Sequence, residues 1–132
     1  MQETIVRLKV LSNDQTPEMI TEAIGLQCDR SWHIGDTRPH TIIKEKSHGW
    51  VIGSGLPKST GLEEQINALL SAVGTRVDAL KMLSAMATVE LSCVIYASAA
   101  PALNFDRSVI SKLALLGADL DIDLYIVGSD SE

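Results

Sequence analysis

The chain has 132 residues, 45% of them hydrophobic, and its 17 acidic residues outnumber 11 lysines and arginines to give a net charge of −6. This length fits one domain over residues 1–132, and the hydrophobic content excludes a disordered chain. Nucleic acids and anionic membrane surfaces both bind basic patches, so the acidic balance argues against either as a partner.

The sequence carries no obvious signal for a membrane or for secretion. No apolar run approaches the roughly 20 residues of a membrane-spanning helix, and the first residues lack the basic segment that opens a signal peptide. The two cysteines, Cys28 and Cys93, do not make a disulfide framework. We therefore expect a cytoplasmic protein with no membrane partner.

The first elements are predicted to be a strand and a helix. Residues 4–12 alternate apolar and polar side chains, which is typical of a strand with one buried face, and Arg7 and Lys9 lie on its polar side. Thr16, followed by proline, predicts the N-cap of a helix that ends at Gly25.

The middle of the chain is less regular. Residues 26–40 show no clean period, whereas 41–44 and 49–54 are predicted to be two short strands joined as a hairpin. Thr60 and Glu63 have the spacing of a capping box. The apolar residues of segment 61–86 follow at helical spacing, but a glycine interrupts them, so one kinked helix and two helices both remain open.

The last third repeats the order strand, helix, strand. Residues 88–97 alternate like the first strand and place Tyr96 on the polar side. Asp106 is the predicted N-cap of a helix over 106–116, and residues 119–127 form the closing strand, with Tyr125 on its polar side.

Together these elements predict an α+β fold. It is a mostly antiparallel sheet of four or five strands with helices packed chiefly on one face, a two-layer sandwich related to the ferredoxin-like layout. In that layout the last strand lies antiparallel to the first. If the two are neighbours, the closing aspartates (119, 121 and 123) form cross-strand ion pairs with Arg7 and Lys9 instead of holding a cation.

Two kinds of catalytic chemistry can be considered. A metal-assisted hydrolase could use imidazole and carboxylate ligands from the cluster His33, Asp36, His40 and His48. Their spacing matches no helical pair and no known metal motif. Ser54 lies in a Gly-Ser-Gly sequence that lacks the spacing of a nucleophile elbow. The sequence therefore favours a protein that is not an enzyme and has no cofactor.

The polar side of the sheet is the main candidate binding surface. Tyr96 and Tyr125 lie there beside Arg7 and Lys9, and large amphipathic rings on an open sheet face often serve recognition. Alternatively, the helical segment 61–86 folds over that face and buries the rings. Both tryptophans have a structural interpretation too, in which they pack the hairpin against the first helix.

Five segments resemble the bacterial domain-of-unknown-function family 4279: TPEMITEAIGLQCD, SWHIGD, HGWVIGSGL, LEEQINALL and LLGADLDIDLYI. The resemblance places signature positions at Gly35 with Asp36, Trp50 with Ser54, and Asp123 with Tyr125. It implies no activity, although some members look like immunity-type proteins. The family often has an aromatic or basic group before the tryptophan strand, where this chain has Lys46-Ser47-His48.

We therefore predict a non-enzymatic protein-binding or self-association module, with a second copy or another protein as its partner. Two alternatives stay open: an immunity-type protein that neutralises a bacterial toxin, and the metal-assisted hydrolase. The predicted binding residues are Arg7, Lys9, Trp32, Asp36, Trp50, Ser54, Tyr96, Asp123 and Tyr125.

Overall fold

The computed structural model describes residues 2–128 as an α+β fold. The strands are β1 (Gln2–Ser12), β2 (Arg30–Trp32), β3 (His48–Gly53), β4 (Thr88–Ala97) and β5 (Ala118–Ile126). The helices are α1 (Pro17–Ile24), α2 (Leu62–Val73), α3 (Val77–Leu83) and α4 (Arg107–Leu116), with a 3₁₀ turn (Gly74–Arg76) between α2 and α3. None of the helices within residues 2–128 is long and apolar enough to cross a membrane.

The strands form one five-stranded sheet in the order β2-β3-β1-β4-β5. Every neighbouring pair is antiparallel except β4 and β5, which are parallel. The predicted α+β class with a mostly antiparallel sheet is confirmed. β1 lies at the centre because it is long enough to pair with both β3 and β4, and its alternation buries one side completely.

The helices pack on a single face of this sheet. The core joins Leu8 of β1 to Ile66 of α2, Leu80 of α3 and Leu113 of α4. Segment 61–86 therefore covers the apolar face, as two helices separated by the 3₁₀ turn, and it leaves the polar face uncovered. Cys93 belongs to the same core, where burial raises the pKa of its thiol to about 12.

The two predicted N-caps are confirmed. The Thr16 hydroxyl accepts a hydrogen bond from the Met19 amide at 3.2 Å, and the Asp106 carboxylate accepts one from the Val109 amide at 2.9 Å. The capping box is wrong, since Gly61 is the N-cap of α2 and no side chain caps that helix.

A buried amide lies near the start of that helix. Gln65 is 2% exposed, and its Nε2 donates to the carbonyl oxygens of Thr4 at 2.7 Å and Thr60 at 2.9 Å. Its Oε1 accepts from the Val6 amide at 3.3 Å and from the Ser54 hydroxyl at 2.9 Å. The Gln65 side chain thus bonds backbone groups of β1 beyond the point where β3 ends at Gly53.

The predicted hairpin is also corrected. Residues 41–44 do not form a strand, and β3 pairs instead with β2, which lies upstream of the irregular loop. The apolar residues Ile42 and Ile43 are 94% and 48% exposed, so this short apolar run does not mark a buried strand. β2 gains its packing from Trp32, whose ring lies on Gly49 of β3.

A third correction concerns the first and last strands. β5 runs antiparallel to β1 in direction, but β4 lies between them. The closing aspartates therefore neighbour β4, and they form no cross-strand pairs with Arg7 or Lys9. The reason is the helix between β4 and β5: such a crossover connects parallel neighbours.

Candidate functional site

The side of the sheet that carries no helices holds most of the predicted binding residues, and we call it the helix-free face. It consists of alternate residues from all strands. On β2, β3 and β1 these are Arg30, Trp32, Gly49, Val51, Gly53, Glu3, Ile5, Arg7, Lys9 and Leu11. On β4 and β5 they are Glu90, Ser92, Val94, Tyr96, Asp119, Asp121, Asp123 and Tyr125.

Charge on this face is divided between its two sides. The basic half, on β2 and β1, carries Arg7, Lys9 and Arg30. The acidic half, on β4 and β5, carries Glu90, Asp119, Asp121 and Asp123. A single register row crosses the sheet as Arg30, Val51, Lys9, Glu90 and Asp119.

Carboxylates crowd the acidic half. The pKa of Glu90 is raised above its usual value, first because the carboxyl is partly buried and then because Asp121 lies beside it. Asp119 and Asp123 act in the same direction, whereas Lys9 partly offsets them. The negative charges of the acidic half therefore repel one another more strongly than the nearby Lys9 offsets.

An aromatic pair borders the acidic half. Tyr96 and Tyr125 are register partners on β4 and β5, and their rings stack with centroids 5.1 Å apart and planes 17° from parallel. Tyr125 remains 51% exposed. The pair presents a flat, rigid, amphipathic surface.

The basic half contains a pocket of about 320 Å³, which we call the basic pocket. Its lining residues are Arg7, Lys9, Asp29, Arg30, Trp32, Val51 and Gly53. The Asp29 carboxylate accepts a hydrogen bond from the Gly53 amide at 2.7 Å, which fixes the acid at the pocket's edge. None of the three cations forms an ion pair within residues 2–128.

Trp32 is the platform of this pocket. Its ring lies so close to Gly49 that a Cβ there would overlap it, and the guanidinium of Arg30 lies over the ring at 5.3 Å from the centroid. The indole Nε1 is buried without a hydrogen-bond partner in the described chain. A buried N–H without a partner lowers the free energy of unfolding by about 1–3 kcal/mol. Stability alone therefore does not favour burying the Trp32 indole N–H here.

Residues 33–48, which we call the histidine loop, are held by hydrogen bonds among themselves and to α1. His33 Nε2 lies 2.8 Å from Glu18 Oε1, and the His33 amide donates to the Asp36 carboxylate at 2.8 Å. His48 Nδ1 accepts from the Ile34 amide at 3.1 Å. The hydrogen bond between the side chains of Glu18 and His33 lowers the pKa of the acid and raises that of the imidazole.

This loop does not assemble the suggested metal ligands. No group of three or more His, Cys, Asp or Glu side chains in residues 2–128 is placed to hold a metal ion. His33 and His48 do meet edge to face, with centroids 5.8 Å apart, but a ring nitrogen of each is already hydrogen-bonded, that of His33 to Glu18 on α1 and that of His48 to the Ile34 amide. His40 stands apart in the loop with a positive φ of 60°.

A family model described as a domain of unknown function (DUF4279) matches residues 2–127. The chain belongs to this family. No curated protein and no solved structure matches it. The DUF4279 description names no activity, so the chemistry of this member has to be argued from its own side chains.

The structure separates the expected DUF4279 signature positions. Asp123 and Tyr125 lie on the helix-free face. Trp50 lies on the opposite face, fully buried, and its indole N–H donates to the Thr21 hydroxyl on α1 at 3.0 Å. Its expected place beside the helix-free face is therefore corrected, because β-strand neighbours point to opposite sides and Gly49 and Val51 occupy the free side.

Two further predicted binding residues serve the fold of this DUF4279 chain. Ser54 donates its hydroxyl to the buried Gln65, and Asp36 bonds within the histidine loop. Sequence reasoning missed Arg30, because the three residues of β2 carry too little periodicity to be recognised. It also missed Gly49 and Gly53, although the strand that carries them was predicted. The glycine spacing in HGWVIG, with two glycines at the same parity, was the available signal.

Proposed function

We propose that this DUF4279 protein is a non-enzymatic, cytoplasmic self-association module, and that its helix-free face binds the same face of a second copy. The observation that carries this proposal is the division of charge on one uncovered face. A surface that is basic at one side and acidic at the other is complementary to itself. Two-fold pairing of identical patches is also the commonest form of oligomer.

The strand order specifies which two-fold axis satisfies this complementarity. An axis parallel to the strands exchanges the two ends of the order, so the β2 edge of one copy lies over the β5 edge of the other. Arg30 and Asp119 occupy the same register row, so an axis over β1 brings them together between copies, while Arg7 and Lys9 of β1 face their own copies. An axis perpendicular to the strands would instead stack like charges.

The tyrosine pair supplies the apolar part of such an interface. Charged pairs at the rim of an interface mainly set specificity, whereas buried aromatic anchors carry most of the affinity. The Tyr96–Tyr125 stack is exposed, and its rings already hold each other in place. Little side-chain entropy is therefore lost when a second surface covers them.

The experiment is the measurement of mass by sedimentation and light scattering at about 0.1 M and about 1 M salt, because added salt screens exposed charges. We expect a dimer at low salt that dissociates at high salt. Arg30→Asp and Asp119→Arg should each weaken the dimer, and the double exchange should restore it. Lys81→Asp, which changes the charge of α3 away from the face, is the matched control.

A monomer at every concentration and salt tested would refute self-association. So would a dimer that both single variants leave intact, since that dimer would use another surface. Tyr125→Arg tests the aromatic part separately and should also dissociate the dimer.

The other two interpretations have weaker support. The immunity-type role rests on family resemblance, and no contact or charge in residues 2–128 favours a toxin domain over a second copy. The hydrolase requires metal ligands, and within residues 2–128 the histidine loop does not bring three of them together.

A further inference from the structure

We propose that the basic pocket is a binding site for the phosphate group of a small phosphorylated molecule. This goes beyond self-association, because a pocket of this shape is not needed to pair two flat sheet faces. The pocket lies on the face that the proposed dimer covers, so a phosphate ligand and a second copy compete for Arg30.

Excess positive charge in the lining is the first reason. Arg7, Lys9 and Arg30 line one pocket of a chain whose net charge is −6. The ion pairs formed within residues 2–128 involve His33 and Arg38, not these three side chains. Asp29 is the one acid in the lining, so the pocket has an excess of about two positive charges, which matches a phosphate dianion.

The geometry of the cations is the second reason. Arg7 and Lys9 project from alternate positions of the central strand, where pairing on both sides keeps the backbone rigid. Arg30 is held over the Trp32 ring, and that ring is seated on Gly49. A planar guanidinium binds phosphate oxygens in a bidentate manner, and its fixed position lowers the entropy lost on binding.

The size and lining indicate an ester instead of a bare ion. A volume of about 320 Å³ lies at the lower end of the range for small-molecule sites, which is roughly 300–1,000 Å³. Val51 provides an apolar floor, and the fixed carboxylate of Asp29 can accept a hydrogen bond from a hydroxyl of the organic part.

Two other cavities of similar size make a useful contrast. One of about 350 Å³ lies at the turn between β1 and α1, and its charged lining residue is Asp14. The other, of about 320 Å³, is lined by residues of α1 and the chain after it, with Glu18 as its charged member. Neither offers a cation to an anionic ligand.

The test is a ¹H–¹⁵N NMR titration of the whole chain at low salt with three probes: glycerol 3-phosphate, inorganic phosphate and glycerol. We expect saturable shifts with the phosphate ester at the Val51 and Gly53 amides and at the Trp32 indole, and none with glycerol. Equal affinity for inorganic phosphate would support a phosphate site and identify the free ion as the ligand.

Variants locate the site. Arg30→Gln and Arg7→Gln should each weaken the affinity about tenfold or more, and Arg30→Lys, which keeps the charge but loses the bidentate fork, should weaken it less. Lys81→Gln, with the same loss of charge elsewhere, should bind like the parent. The spectrum of each free variant shows whether it is folded.

The proposal is overturned if no probe gives saturable shifts in the parent chain or in the Tyr125→Arg variant, or if Lys81→Gln weakens binding as much as Arg30→Gln does. Sedimentation of the same samples keeps the two proposals apart. Samples that are monomeric without any probe but bind glycerol 3-phosphate would refute self-association alone. A salt-sensitive dimer whose monomeric Tyr125→Arg variant gives no saturable shifts would refute the pocket alone.

Discussion

The two faces of the sheet are built from the same strands but differ in what holds their side chains in place. On the helix-covered face, Trp50 and Gln65 are buried and their polar atoms are paired by specific hydrogen bonds. On the helix-free face, charged groups of both signs stand apart on opposite halves, and Trp32 keeps a buried N–H without a partner.

This difference shows which face serves stability and which is available for binding. Buried hydrogen-bonded groups are costly to disturb, whereas exposed charges contribute little to folding. The covered face should therefore respond strongly to substitution in unfolding experiments. The helix-free face should respond weakly, except where close packing fixes the Trp32 platform.

The strongest test of this contrast is Gln65→Ala. The substitution leaves the Thr4 carbonyl and the Val6 amide without their partner beside β1. We expect a loss of at least about 3 kcal/mol in the free energy of unfolding, measured by urea denaturation. Asn67→Ala, an exposed position on the same helix, is the control and should change it by less than about 0.5 kcal/mol. Similar small effects at both positions would contradict the role of the buried amide.

Gly49→Ala tests the one tightly packed point of the helix-free face. A methyl group there overlaps the Trp32 ring, so the ring and the Arg30 guanidinium on it must move. We expect a loss of about 1–3 kcal/mol and a change in tryptophan fluorescence.

Gly74→Ala is the matched control for this change. Its Cβ meets nothing within 4 Å, and its backbone is helical. It should leave the stability unchanged or raise it slightly. If Gly49→Ala behaved in the same way, the Trp32 platform would not be fixed as described.

The smallest expected effect is that of Glu90→Gln in the acidic half. Because the folded-state pKa of Glu90 is raised, folding favours its protonated form, and the stability falls as pH rises from the usual carboxyl range through that pKa. Above that range we expect the variant to be more stable than the parent, by less than about 1 kcal/mol owing to solvent screening. Below it, where the carboxyl is protonated in both states, this difference should vanish.

Denaturation across a range of pH measures the effect, with Glu22→Gln on α1 as the exposed control. A destabilised Glu90→Gln variant at neutral pH would show that Glu90 gains more from Lys9 than it loses to the aspartates.

Much of the local structure follows from the sequence alone. Strict alternation identified β1 and β4, because a half-buried strand requires it, and short capping residues identified the starts of α1 and α4. Alternation also identified β5, although its Leu120, Leu124 and Ile126 are exposed. The same alternation placed Arg7, Lys9, Tyr96, Asp123 and Tyr125 on the polar side of the sheet. Their role in binding stays a prediction.

Only the tertiary structure decided which elements became neighbours. Alternation specifies which side of a strand is buried but not which strand lies beside it, so the insertion of β4 between β1 and β5 could not be derived. The three residues of β2 acquire their strand conformation from the contact of Trp32 with Gly49, a contact between positions 17 residues apart. The basic pocket has the same origin, since its cations come from strands that only the folded sheet brings together.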